Sequence, residues 1–212
     1  FEIDMLSAIS DPVREAHDFG AQITFPYDAV PYLSFPLINE PKDIQKLRVT
    51  TPSSGKRMQD RIRAIELFKQ KAGNHYPILG WVEGAFAEVC DIHGISATMK
   101  NLFDQPEFVD EMLEICTQQA IYFAEAQIDA GADFIGIGDA AASLISPRMY
   151  KKFVLPYEQR IIAAVHAKGA KAKLHICGNT IALLNYLPQT EADMIDIDFL
   201  VDFSTAINTM VD

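Results

Sequence analysis

His175-Ile176-Cys177 sets an imidazole and a thiol two positions apart, just ahead of Gly178. On an extended strand, residues i and i+2 point to the same face. A thiolate beside an imidazole suits zinc better than a hard cation. Lys171 to Ile176 reads as that strand. Gly178 breaks it, and Asn179 or Thr180 can cap a helix over about Thr180 to Leu187, ended by Pro188. The competing reading is a buried cysteine beside a hydrogen-bonded histidine, and spacing alone leaves both open. A catalytic zinc site takes three protein ligands and an open position, and only two soft ligands are visible. Three other expected strand ends carry acids: Glu83, Asp139 and Asp198. Asp198 could reach a metal as a hard ligand, or be a loop acid or helix cap. Asp139 could bind substrate or cofactor, or cap the small-residue turn Ala140-Ala141-Ala142-Ser143. Glu83 could be no more than an acid favoured by the dipole of the helix that follows it.

The elements that must position these residues alternate from residue 77 onward. Short apolar runs at Pro77 to Val82, Ala132 to Gly138, Lys171 to Ile176 and Ala192 to Asp198 read as strands. Helices are expected over Lys56 to Lys71, Ala85 to Ile92, Ser96 to Phe103, Glu107 to Asp129 and Asp202 to Met210. Two more flank Pro156, the first opened by Ser146-Pro147. Residues 1–55 are loop-rich, with Ile23-Thr24-Phe25 a possible short strand and Pro41 opening a short helix. This pattern predicts an α/β protein with a parallel sheet covered on both faces. A (β/α)8 TIM barrel is the first reading and a doubly wound sheet the second. A whole barrel takes about 250 residues, so one barrel domain over 1–212, incomplete at both ends, is expected. Gly136 and Gly138 lie inside a strand and do not make a dinucleotide-binding loop.

The 212 residues carry 18 basic and 29 acidic side chains, a formal charge of −11, with no basic run. That excludes nucleic acid and an anionic membrane surface as partners. The three cysteines are widely spaced and suggest no disulfide framework. Cys90 and Cys116 fall in helical patterns and are expected in the core. No signal peptide or membrane-spanning apolar run is seen, and a cytoplasmic location is expected.

Several stretches resemble the uroporphyrinogen decarboxylase superfamily. Trp81-Val82-Glu83-Gly84-Ala85-Phe86 is similar to its Gly-Pro-Phe-Thr strand-to-helix turn, with Ala85 in place of the usual proline. Gly131 through Asp139 resembles it too. So does Ser146 to Tyr157, which fits the specific pattern Ser-Pro-x-x-Tyr-x-x-Phe-x-Leu-Pro-Tyr. The decarboxylases of that superfamily lack His-x-Cys. The cobalamin-dependent branch, which includes methylcobamide:coenzyme M methyltransferases, carries it with a distant third cysteine. His175-Ile176-Cys177-Gly178 is similar to that branch. The resemblance implies zinc held by His175, Cys177 and Asp198, with Asp139 and Glu83 as catalytic carboxylates at the barrel mouth. It implies a methylcobamide cofactor presented by a corrinoid protein. The activity implied is methyl transfer between that corrinoid and a small thiol or methyl donor. The third family cysteine is expected on the last barrel strand, beyond Asp212. The alternatives are decarboxylation of a tetrapyrrole, which an acidic mouth fits poorly, and a docking module without catalysis.

Overall fold

A computed structural model describes residues 3–211. Five parallel strands form the main sheet: β1 (Leu6–Ser7), β4 (Ile78–Glu83), β5 (Phe134–Gly138), β6 (Lys171–His175) and β7 (Met194–Asp196). They lie side by side in that order. The order follows the chain in one direction and never reverses. A doubly wound sheet reverses at a switch point, so this sheet is the arc of a barrel. It is not closed by hydrogen bonds, and β1 and β7 are its two edges. A separate antiparallel pair, β2 (Ile23–Thr24) with β3 (Tyr32–Leu33), lies in the loop-rich segment.

Helices cover the outer face: α1 (Arg14–Asp18), α2 (Lys56–Ala72), α3 (Ala85–His93), α4 (Ile95–Asp104), α5 (Pro106–Asp129), α6 (Pro147–Phe153) and α7 (Leu155–Ala167). Alternation within the strands fixes which side chains they meet. Val82, Ile135, Ile137, Ala172 and Leu174 are buried, as are Ala120, Phe123 and Ala124 of α5 and Ile161, Ile162 and Val165 of α7. The opposite, inner face carries Trp81 and Glu83 of β4, Gly136 and Gly138 of β5, Lys173 and His175 of β6, and Asp196 of β7. Register aligns Trp81 with Gly136 and Lys173, and Glu83 with Gly138, His175 and Asp196. The inner face is not covered along its whole width. β4 is buried throughout, whereas Lys171 is exposed and Lys173 and His175 are half-buried.

Two helices are capped from a distance. α2 starts at Gly55, which has no capping side chain, and the Asp18 carboxylate accepts from the N–H groups of Lys56, Arg57 and Met58 at 2.9–3.2 Å. α3 starts at Gly84, and Asp139 Oδ1 accepts from Ala87 N at 2.8 Å. A Cβ on either glycine would collide with the capping carboxylate. The orphan N–H groups of a helix start and the positive end of its dipole both favour this placement.

Two expectations change. The helix over Thr180 to Leu187 is instead two short 3-10 turns, Ile181–Leu183 and Leu187–Thr190, and Pro188 sits inside the second. Asn179 Oδ1 accepts from Ile181 N at 3.2 Å, a local turn that competes with helix propagation. The strand over Ala192 to Asp198 is paired only at Met194–Asp196, and Asp198 lies in the turn beyond it. α8 (Phe203–Val211) follows.

Candidate functional site at the barrel mouth

The carboxyl ends of β4, β5 and β6 and the turns that follow them enclose a cleft of about 380 Å³. Glu83, Cys90, Asp91, Cys177 and Gly178 line it together with Ala140, Ala141, Ser143 and Leu144. A larger cleft of about 620 Å³, beside Leu6, Phe68 and His75, lies at the amino-terminal end of β4 and brings no thiol or carboxylate together. Barrel chemistry sits at the carboxyl end of the strands, and the smaller cleft is the one that collects it.

His175 ends β6, and register sets Asp196 beside it. Asp196 Oδ2 accepts from His175 Nδ1 at 2.9 Å and from Lys173 Nζ at 2.9 Å. A carboxylate in this role selects the tautomer whose Nε2 carries the lone pair. Trp81 packs against the imidazole, with ring centroids 5.9 Å apart. Its indole lies across Gly136 and Gly138, where a Cβ would run into it. The two strand glycines therefore make room for the ring that flanks His175. Cys177 follows as a free, exposed thiol on the cleft wall.

The other residues singled out by sequence hold different positions. Asp139 is 1% exposed and serves as the cap of α3 rather than of its own turn. Burial pushes its carboxyl up to about 7, against the hydrogen bonds from Ala87 and Phe86. Asp198 accepts from Gly178 N and Leu200 N at 2.8 and 2.9 Å, bonds that hold its carboxyl below the usual range. It braces the turn that carries Cys177. Among the described residues, His175, Cys177 and Asp198 do not converge, and no group of three or more His, Cys, Asp or Glu side chains is arranged to hold a metal ion. Cys90 and Cys116 are buried, and burial raises both thiols. His93 is buried with both ring nitrogens engaged, Nδ1 by Ile38 O and Nε2 by Asn101 Nδ2.

Glu83 sits in a group that sequence reasoning missed. Its Oε1 accepts from Arg14 Nη2 at 3.1 Å, and its backbone N–H donates to Glu15 Oε1 at 3.0 Å. β1 stops short of this point, so the Glu15 side chain replaces a strand partner. Gln127 of α5 does the same for Trp81, accepting from its N–H and donating to its C=O. Burial raises Glu83 to about 8 and Asp91 to about 7, with Arg14 opposing in both cases. Glu88, fully buried, is raised as well.

An arc of parallel strands with its polar groups gathered at their carboxyl ends defines a barrel-enzyme architecture. All 212 residues match the family model described as uroporphyrinogen decarboxylase (URO-D), and the chain belongs to that family. It is 33% identical over 176 residues to the methylcobamide:CoM methyltransferase MtbA of Methanosarcina acetivorans, covering 82% of this chain and 51% of that protein. It is 28% identical over 211 residues to the uroporphyrinogen decarboxylase of Roseiflexus sp., covering 95% of this chain and 60% of that protein. A solved methyltransferase from Methanosarcina mazei shares the fold with a TM-score of 0.88 at 21% identity, over 98% of this chain and 61% of that one. The chain spans about half the length of the curated methyltransferases it matches. No helix among the described residues is long and apolar enough to cross a membrane.

Proposed function

We propose that this protein is a zinc-dependent methyltransferase. It moves a methyl group between a corrinoid carried by a separate protein and a small thiol or methyl donor. The observation that carries the reading is the His175–Asp196 hydrogen bond beside a free Cys177 on the cleft wall. Metal-binding histidines commonly donate their other ring N–H to a carboxylate, which fixes ring orientation and basicity. His175 and Cys177 would hold the ion as a nitrogen and a sulfur donor. Bound there, zinc lowers the pKa of a coordinated thiol, so that a thiolate is present at neutral pH. Asp196, itself held by Lys173, holds the imidazole in place, Trp81 shields one side of it, and Asp198 braces the Cys177 turn. The decarboxylase alternative is disfavoured at the same place. A polyanionic tetrapyrrole needs cations, but carboxylates line the cleft and Arg14 behind it is already paired.

The purified protein is expected to hold zinc and to demethylate methylcobalamin in the presence of a small acceptor. Cys177→Ala should lose both. Zinc-free protein with full activity, or unchanged activity in Cys177→Ala, would falsify the reading. Asp196→Asn keeps the shape but weakens acceptance from His175. Zinc affinity, measured by chelator competition, should fall roughly 10–100-fold. An affinity equal to the parent's would show that Asp196 does not position the ligand.

A further inference from the structure

Glu83 and Asp91 are not among the residues proposed above to hold a metal. Glu83 is 7% exposed and faces the cleft. Its Oε1 is held by Arg14, while Oε2 has no partner among the described residues. Asp91, one face of α3 further along, is half-buried on the same wall and hydrogen-bonds to nothing described. Behind them, Glu88 is 2% exposed with both carboxyl oxygens lacking a hydrogen-bond partner, and Glu15 Oε2 lacks a hydrogen-bond donor but lies 3.3 Å from Arg14 Nη2. One buried arginine therefore faces Glu15, Glu83, Glu88 and Asp91. Buried polar atoms are nearly always paired; Arg14 Nε is a spare donor behind the cleft, and the groups without a donor on the side that opens to it are Glu83 Oε2 and the Asp91 carboxyl.

A metal ion does not meet that need, since the carboxylates do not converge as metal ligands among the described residues. Most of the rest of the wall is apolar, Pro12, Ala87, Ile95, Ala140, Ala141 and Leu144, and the Ser143 hydroxyl beside them is committed to Ala140 O at 3.0 Å. Apolar walls with two acids on one side fit a cation that carries methyl or methylene groups. No lysine or arginine lines the cleft to receive an anion, and the chain's formal charge of −11 repels one further.

We propose that this cleft binds an alkylammonium group, with Glu83 and Asp91 as its counter-charges and Cys177 lining the same cleft. The inference rests on the methyl-transfer reading for its meaning: the small reactant is then a cation rather than a sulfonate-bearing thiol of the coenzyme M type. The binding itself is independent of the metal and is tested separately.

Isothermal titration at pH 9, where both carboxyls are ionised, with tetramethylammonium, with tert-butanol as a neutral compound of similar size, and with ethanesulfonate decides it. Tetramethylammonium is expected to saturate one site, with tert-butanol and ethanesulfonate at least about tenfold weaker. Asp91→Asn and Glu83→Gln should each weaken tetramethylammonium by about tenfold or more. Asp91 is less buried than Glu83, so its variant keeps the test valid if Glu83→Gln fails to fold. Zinc content in Asp91→Asn should match the parent. Absence of tetramethylammonium binding, ethanesulfonate binding at least as tight, or unchanged binding in Asp91→Asn would each overturn the proposal. A zinc-free protein that still binds tetramethylammonium would remove the methyl-transfer reading and leave this one standing.

Discussion

Gly136→Ala is expected to destabilise the protein by about 3 kcal/mol or more, the upper end for adding one carbon to a packed interior. A Cβ at this position would sit inside the contact distance of the Trp81 six-membered ring. Neither side can give way easily. Register pairs Trp81 with Gly136 on adjacent central strands, and a shift of either backbone would disturb hydrogen bonds on both sides. The indole is 8% exposed, flanked by His175 and covered by Lys173, whose Nζ lies 5.9 Å from its centre. Urea unfolding monitored by circular dichroism measures the loss. Trp81→Leu in the Gly136→Ala background should recover part of it, because the smaller side chain leaves room for the methyl group. Gly136→Ala as stable as the parent would show that the ring moves freely. Such a ring could not be what holds His175 in place.

The same residues show what sequence pattern can and cannot reveal. The helices from Lys56 onward and the strands at 78–83 and 134–138 follow from local periodicity and punctuation, because their apolar faces are written in consecutive residues. The sheet order follows from repeated βα alternation, and only the unchanging direction of that order separates a barrel arc from a doubly wound sheet. The acids at strand ends were visible as candidates. Which of them is free was not visible, because each is committed by a partner distant in sequence. Asp139 turns to the start of α3 and Asp198 to the Cys177 turn, while Glu83 meets Arg14. Asp196 lies two residues before Asp198, the acid that spacing pointed to: strand register, not spacing, sets it opposite His175. The glycines at 55 and 84 carry a readable hint. A helix that opens on glycine without a capping side chain needs a cap from elsewhere, and a short acid such as Asp18 or Asp139 supplies it.

Arg14→Met should cost about 3–5 kcal/mol at pH 8 and markedly less at pH 5. Arg14 is 1% exposed and is the cation that opposes the raised pKa values of Glu83, Glu88 and Asp91. A carboxyl raised in the folded state binds its proton more tightly there than in the unfolded chain. Its contribution to stability is therefore full below the unfolded value and is lost as pH rises through the folded one. With Glu83 at about 8 and Asp91 at about 7, against ordinary values of 4.5 and 3.8, the parent should already lose stability between about pH 4 and pH 8. Asp139 and Glu158, also raised by burial, add to that slope in both proteins and cancel in the comparison. Without Arg14 the folded values rise further, so the variant's loss becomes larger and extends to higher pH. At pH 5 the neutral acids need little counter-charge, and what remains is the lost packing of the side chain, its hydrogen bond to Asp11 O and its contact with the Glu15 carboxyl. Urea denaturation of both proteins at pH 5 and pH 8 gives the difference, and a cost independent of pH would show that Arg14 acts through packing alone. An alkylammonium ion in the cleft supplies from the front some of the charge that Arg14 supplies from behind. Added tetramethylammonium should therefore narrow the gap between parent and variant at pH 8 and leave it unchanged at pH 5.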